Sequence, residues 1–187
     1  GNVYLRQGEK EKAEKSLAAA QYLFGKQQLR AGRYETAETA FRNALELRSD
    51  YAVARQGLGD AMFRQRRYDE ALELVQEAIA QDSSAYLNYE TLSNIYRQLG
   101  NEQKAGQFMA TAHFLKGQFY LKKHLNRRAR FEFDEARLFN PNHVPAHFAL
   151  GKLYLEDESY PEAARYLETT IALAPNSAEV YYHLALA

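Results

Sequence analysis

Small and large apolar residues recur along this chain at the spacing of a helix face. Arg33-Tyr34-Glu35-Thr36-Ala37 is followed by Phe41 and Ala44, Arg67-Tyr68-Asp69-Glu70-Ala71 by Val75 and Ala78, and Ser159-Tyr160-Pro161-Glu162-Ala163 by Leu167 and Thr170. Steps of four and then three residues return side chains to one side of an α-helix. About a helical turn upstream stands a companion phrase, seen as Leu58-Gly59-x-x-Met62, Leu92-Ser93-x-x-Tyr96 and Leu150-Gly151-x-x-Tyr154. The pair of phrases recurs every 34 residues. The prolines at 141, 145, 161 and 175 fall between the predicted helices or in a first helical turn, where a missing N–H costs nothing. No alternating apolar and polar run is bounded by hairpin residues, so no strand is predicted.

The pattern resembles the tetratricopeptide repeat (TPR), in which an aromatic, a Leu-Gly pair, a Tyr, an Ala-x3-Phe step and a closing Pro build two antiparallel helices. The resemblance covers essentially the whole chain, with repeats starting at Ala18, Ala52, Tyr86, Ala110 and Val144 and half-repeats at both ends. Pro141 and Pro175 hold the closing position, which Ser49 and Ser83 take in two earlier repeats; the tryptophan often found near the start is replaced by Gln21, Arg55, Tyr89, His113 and His147. The resemblance implies an all-α fold, a right-handed α-solenoid of helix-turn-helix repeats forming one domain over residues 1–187. Gly25, Gly59, Gly117 and Gly151, with Ala37, Ala71, Ala105, Ala129 and Ala163, supply the small positions that let neighbouring helices approach.

Two steps are short. Tyr86 to Ala110 is 24 residues, and Gly8 and Ala13 precede Gly32 and Ala37 by the same 24. At an offset of 92, Asn2-Val3-Tyr4 matches Asn94-Ile95-Tyr96, Gly25 matches Gly117 and Phe41 matches Phe133, which divides the chain into three-repeat modules at 2–93 and 94–185. The missing residues correspond to a loop and a helix start. Either the second helix of one repeat runs directly into the first helix of the next, giving long helices over about 9–31 and 101–124, or a very tight turn stands there.

Composition then narrows the function. Hydrophobic residues make up 46% and aromatics 13%, enough for a core. Lys+Arg and Asp+Glu balance at 24 each, so no overall field draws in nucleic acid or an anionic membrane. With no cysteine there is no disulfide or thiolate metal site, and the compartment stays open. No apolar stretch approaches the length of a membrane span, and the start at Gly1 has no signal-peptide pattern and no Met, so the chain reads as a piece of a longer protein. No phosphate loop, His-Glu-x-x-His or Gly-x-Ser-x-Gly motif occurs, and neither catalysis nor a cofactor is expected. His143 and His147 have the spacing of a metal pair, but Pro145 between them puts His143 ahead of the helix, and no metal site is assigned.

In TPR proteins the first helices line a concave groove where partners bind. Carried onto this chain, the groove positions are Tyr22, Lys26 and Leu29, then Gln56, Asp60 and Phe63, then Glu90, Asn94 and Arg97, then Phe114, Gln118 and Leu121, and finally Phe148, Lys152 and Leu155. Their mix of apolar and polar residues suits a peptide or helix of a partner protein, while Phe114 and Phe148 are also placed to pack against a neighbouring repeat. The Lys and Asn pattern of a chaperone-tail clamp is absent.

The turn at 121–128 carries four cations, Lys122, Lys123, Arg127 and Arg128, and the turn at 155–162 carries four carboxylates, Glu156, Asp157, Glu158 and Glu162. The basic cluster reads as an anion patch, or as half of a mutual compensation between adjacent repeats. The leading function is a protein-binding scaffold. Its rival is a structural spacer or self-assembling arm of a larger protein, an enzyme or envelope secretion component among them, because Val180, Tyr181, Leu184 and Ala185 form an apolar stripe on a terminal helix that calls for a partner.

Overall fold

The computed structural model describes residues 2–187, with side chains from Gly8 onward. Among the described residues there are ten helices and no strand: α1 (Asn2–Arg30), α2 (Tyr34–Leu47), α3 (Ala52–Arg64), α4 (Tyr68–Gln81), α5 (Tyr86–Gln98), α6 (Glu102–Leu121), α7 (Asn126–Phe139), α8 (Val144–Glu156), α9 (Tyr160–Leu173) and α10 (Ala178–Leu184). Packing divides the chain into an N-terminal block, Gly1–Leu99, and a C-terminal block, Gly100–Ala187. Each block is a long helix followed by shorter ones, every helix packed on the next. The helices that start at Tyr34, Ala52, Tyr68 and Tyr86 in the first block have counterparts starting at Asn126, Val144, Tyr160 and Ala178, each 92 residues on.

Both long helices are continuous. α1 has 29 residues and α6 has 20, about 43 Å and 30 Å at 1.5 Å per residue. The expected span of 101–124 is corrected at its end: Asn101 is the cap, its side chain accepting from the Lys104 N–H at 3.0 Å, and the helix stops at Leu121. His124 takes φ 57°, and the Leu125 N–H donates back to the Tyr120 carbonyl at 3.0 Å, closing the helix before the basic turn. Likewise α1 begins at Asn2, ahead of the expected 9, and runs through Gly8; it ends at Arg30, one residue before the expected 31, where Gly32 takes φ 73° and the Arg33 N–H donates to the Gln28 carbonyl.

The core of each block is built on one phenylalanine against glycine. Phe41, 1% exposed, fills the space left by Gly25 and Gly57, at each of which a Cβ would lie within 2.8 Å of the ring. Phe133, fully buried, does the same against Gly117, where a Cβ would lie 2.4 Å from the ring. Burying such a ring contributes on the order of 1.5–3 kcal/mol. Around Phe133 stand Ala129, Leu150, Leu153 and Tyr166, with Phe114, Leu121 and Tyr154 packed against them. The terminal helix departs from expectation: α10 ends at Leu184, and of the four-residue stripe Val180 is buried and Leu184 half-buried, while Tyr181 and Ala185 are exposed. No helix among the described residues is long and apolar enough to cross a membrane.

Candidate functional site

In the N-terminal block, α1 and α3 diverge enough to leave a groove of about 430 Å³, open to solvent. Five of the six groove positions expected on these two helices line it: Tyr22, Lys26 and Leu29 from α1, and Gln56 and Asp60 from α3. The sixth, Phe63, lies elsewhere, its ring 5.8 Å from that of Tyr68 with the Arg64 guanidinium 5.9 Å away. Tyr22 is fixed by two further rings, Phe41 at 6.0 Å and Tyr51 at 5.6 Å, and Lys26 lies over its face at 5.9 Å. The floor is Phe41 and Gly57, so the Phe-Gly packing of the core also shapes the groove.

Charge in the groove is lopsided. Lys26, Arg30 and Arg64 face one carboxylate, Asp60, which is 3.6 Å from Arg64. Burial raises the Asp60 carboxyl above the usual aspartate range, against the pull of the Arg64 charge and hydrogen bond. Arg30, Tyr34, Arg64 and Leu87 line the groove without having been anticipated. Leu87, 47% exposed, sits one helical turn ahead of Glu90 on the same face, so the facing stripe begins a turn earlier than the three positions used. α5 contributes Leu87 to the groove and none of Glu90, Asn94 or Arg97; the Arg97 guanidinium instead donates to the Asn94 side-chain oxygen at 3.3 Å.

The C-terminal block does not gather its expected positions into one groove. Phe114 packs on Phe133 at 5.6 Å and His143 at 5.4 Å, and Leu121 joins the core around Phe133. Gln118 is exposed. Phe148 meets the His183 ring at 5.5 Å, and Lys152 lies 5.4 Å over Phe148 and 4.0 Å from Glu179. Lys152 and Leu155 do line a second depression with Glu156, Tyr160, His183 and Leu186. Where the first block has Asp60 and Arg64, the second has Lys152 and Glu156, 92 residues on with the signs reversed.

The basic turn is exposed along its length. Lys123 lies over the Phe119 ring at 4.4 Å and Arg128 over Tyr120 at 5.7 Å, and Arg127 and Arg128 border a shallow depression with Tyr120, Phe131 and Glu132. Glu132, 5% exposed, is held by Lys116 and by the His113 ring, each at 2.8 Å. Of the histidines, His143 caps α8, its ring Nδ1 accepting from the Ala146 N–H at 3.2 Å, and His147 Nε2 lies 2.7 Å from the Pro141 carbonyl. Burial lowers His143 from the ordinary histidine range, and nearby His147 adds to that. No cluster of three metal-ligating side chains occurs among the described residues.

Comparison with known proteins fits this architecture. Family models described as tetratricopeptide repeat match residues 28–92 and 148–187. Human tetratricopeptide repeat protein 6 is 24% identical over 159 residues, covering 80% of this chain and 31% of that protein, so the chain spans about a third of its curated relative's length. Among solved structures, pilF of Pseudomonas aeruginosa is similar with a TM-score of 0.50 at 17% identity, over 91% of this chain and 82% of that one. A thermophilic TPR protein of Thermus thermophilus has a TM-score of 0.47 at 21% identity, over 90% and 97% of the two chains.

Proposed function

From the membership of this chain in the tetratricopeptide repeat family, we propose that it is a protein-interaction scaffold that holds a peptide or helix of a partner in the groove between α1 and α3. One observation carries the reading. Residues expected at ligand-facing repeat positions, Tyr22, Lys26, Leu29, Gln56 and Asp60, converge on one open groove rather than into the core. The groove combines what short-segment recognition requires: aromatic and aliphatic walls at Tyr22, Leu29 and Leu87, and polar groups at Gln56 and Asp60.

Selection from a random peptide library on the wild-type chain tests the proposal, with binding of the selected peptides remeasured on Lys26→Glu and Leu87→Arg. Both side chains are exposed, so the fold should persist. Loss of at least tenfold in affinity for both variants is expected. Peptides that bind wild type and both variants equally would place recognition outside the groove.

A further inference from the structure

The C-terminal block carries two highly charged turns side by side, and they do not neutralise each other. Among the described residues only Arg130 and Asp157 join across them, with Arg130 also lying 4.6 Å over Tyr154. Lys122, Lys123, Arg127 and Arg128 have no carboxylate within ion-pair distance among the described residues, and Glu156, Glu158 and Glu162 have no cation. All seven are exposed. The corresponding edge of the N-terminal block behaves differently. There Glu38 of α2 accepts from Gln65 at 2.9 Å, from Arg42 at 2.9 Å and from Arg67 at 2.8 Å, and Arg67 also pairs with Glu70, so that ion pairs link the α3–α4 turn to its own block.

Three of these charges also oppose the helices that bear them, whereas Lys122 at the end of α6 and Glu162 in the first turn of α9 agree with theirs. Arg127 and Arg128 stand in the first turn of α7, which has no acidic residue there, and Glu156 ends α8, which has no basic residue in its last turn. A helix N-terminus favours anions and a C-terminus favours cations. Arg127, Arg128 and Glu156 are thus kept against that preference, exposed and without an ion-pair partner in the block.

We propose that this edge, made by the α6–α7 and α8–α9 turns, is a two-fold docking surface for a second copy of the chain. A patch with a basic half beside an acidic half complements itself under two-fold rotation: the basic turn of one copy meets the acidic turn of the other, and the reciprocal contact follows from symmetry. Zero net charge removes any overall repulsion between copies. Each half also presents one exposed apolar side chain for the contact to cover, Leu125 at 39% and Tyr160 at 46%. An acidic macromolecule would satisfy the basic turn alone and leave the adjacent acidic turn repelling it, which is why a second copy is the better occupant.

Sedimentation equilibrium of the 187-residue chain tests this at roughly 10 mM and 1 M salt, where screening lengths are about 30 Å and 3 Å. The expected mass rises from 21.5 kDa toward twice that value with concentration at low salt, and stays at 21.5 kDa at high salt. Two variants are each expected to remain monomeric: Lys122→Glu with Lys123→Glu, Arg127→Glu and Arg128→Glu, and separately Glu156→Lys with Glu158→Lys and Glu162→Lys. Their equimolar mixture should associate again. The milder Arg127→Glu with Arg128→Glu relieves the clash with the α7 dipole, so it should fold at least as well as wild type while associating more weakly. A chain monomeric at every salt and concentration overturns the proposal. So does a mixture that stays monomeric, or association that survives the reversals, as apolar contact through α10 would. Monomeric wild type captured by heparin, with capture lost on basic reversal, would assign the turn to an acidic macromolecule instead.

Discussion

Replacing Gly117 by alanine sets two effects of known sign against each other. In a helix interior the change should stabilise by about 1 kcal/mol, because glycine loses more backbone freedom on folding. Here the added Cβ would lie 2.4, 2.6 and 3.0 Å from three atoms of the Phe133 ring. That ring is fully buried among Ala129, Leu150, Leu153 and Tyr166 and cannot retreat without displacing them. Overpacking of this kind costs typically 1–3 kcal/mol, and the closeness of two contacts puts Gly117 toward the upper end. The expected net loss is about 1–2 kcal/mol, a fall of a few degrees in melting temperature for a chain of this size. Phe133→Leu alone should also destabilise, by opening space. In the double variant the clash is gone, and the total should fall short of the sum by about 1 kcal/mol or more, measurable by urea denaturation followed by far-ultraviolet circular dichroism. Gly8→Ala is the control: nothing lies within 4 Å of its Cβ, so only the stabilising effect applies. A Gly117→Ala variant as stable as wild type, or strictly additive losses, would refute the packing argument.

Arg66, His124 and Glu158 hold φ values of 63°, 57° and 57° at the ends of α3, α6 and α8, the left-handed conformation that Gly32 and Gly100 adopt elsewhere. Glycine at any of the three should raise stability by roughly 0.5–1 kcal/mol in thermal melts, since a side chain is disfavoured there. His143 must be neutral at Nδ1 to cap α8, and burial depresses its pKa. A depressed folded value means that its contribution is present above the ordinary histidine pKa of about 6.5 and is lost as pH falls through the lower folded value. His143→Asn, which keeps a capping oxygen without titrating, should flatten that part of the stability–pH curve; an unchanged curve would show that the cap does not carry the dependence.

The repeat made most of the fold legible. The 92-residue offset matched Gly25 to Gly117 and Phe41 to Phe133, without showing that each Phe packs on its Gly, and of the two readings of the 24-residue steps the structure has the long helices, α1 and α6. The end of α6 was less visible because the residue that closes it is His124, not glycine. At Gly32 the same left-handed closure is written in the sequence; at Arg66, His124 and Glu158, all exposed, it comes with a backbone bond from the next residue's N–H back to the helix and falls on residues without that preference. The groove was half legible for a related reason. Position within a repeat fixes which way a side chain leaves its helix, which gathered Tyr22, Lys26, Leu29, Gln56 and Asp60. It does not fix whether a neighbouring helix stands there, and so Phe114 and Leu121, at matching positions, pack inward.

The continuity of α6 bears on how this chain opens. In a repeat array with a loop between every pair of helices, one hairpin can fray while the next stays folded, and amide exchange grades smoothly along the array. A backbone helix shared by two repeat positions removes that break point. Opening near Glu102 propagates toward Leu121 as a single cooperative event, and α7, which packs along α6, is carried with it. Hydrogen exchange should therefore report α6 and α7 as one protected foldon with a common opening free energy, while α10, short and packed chiefly on α9, exchanges first.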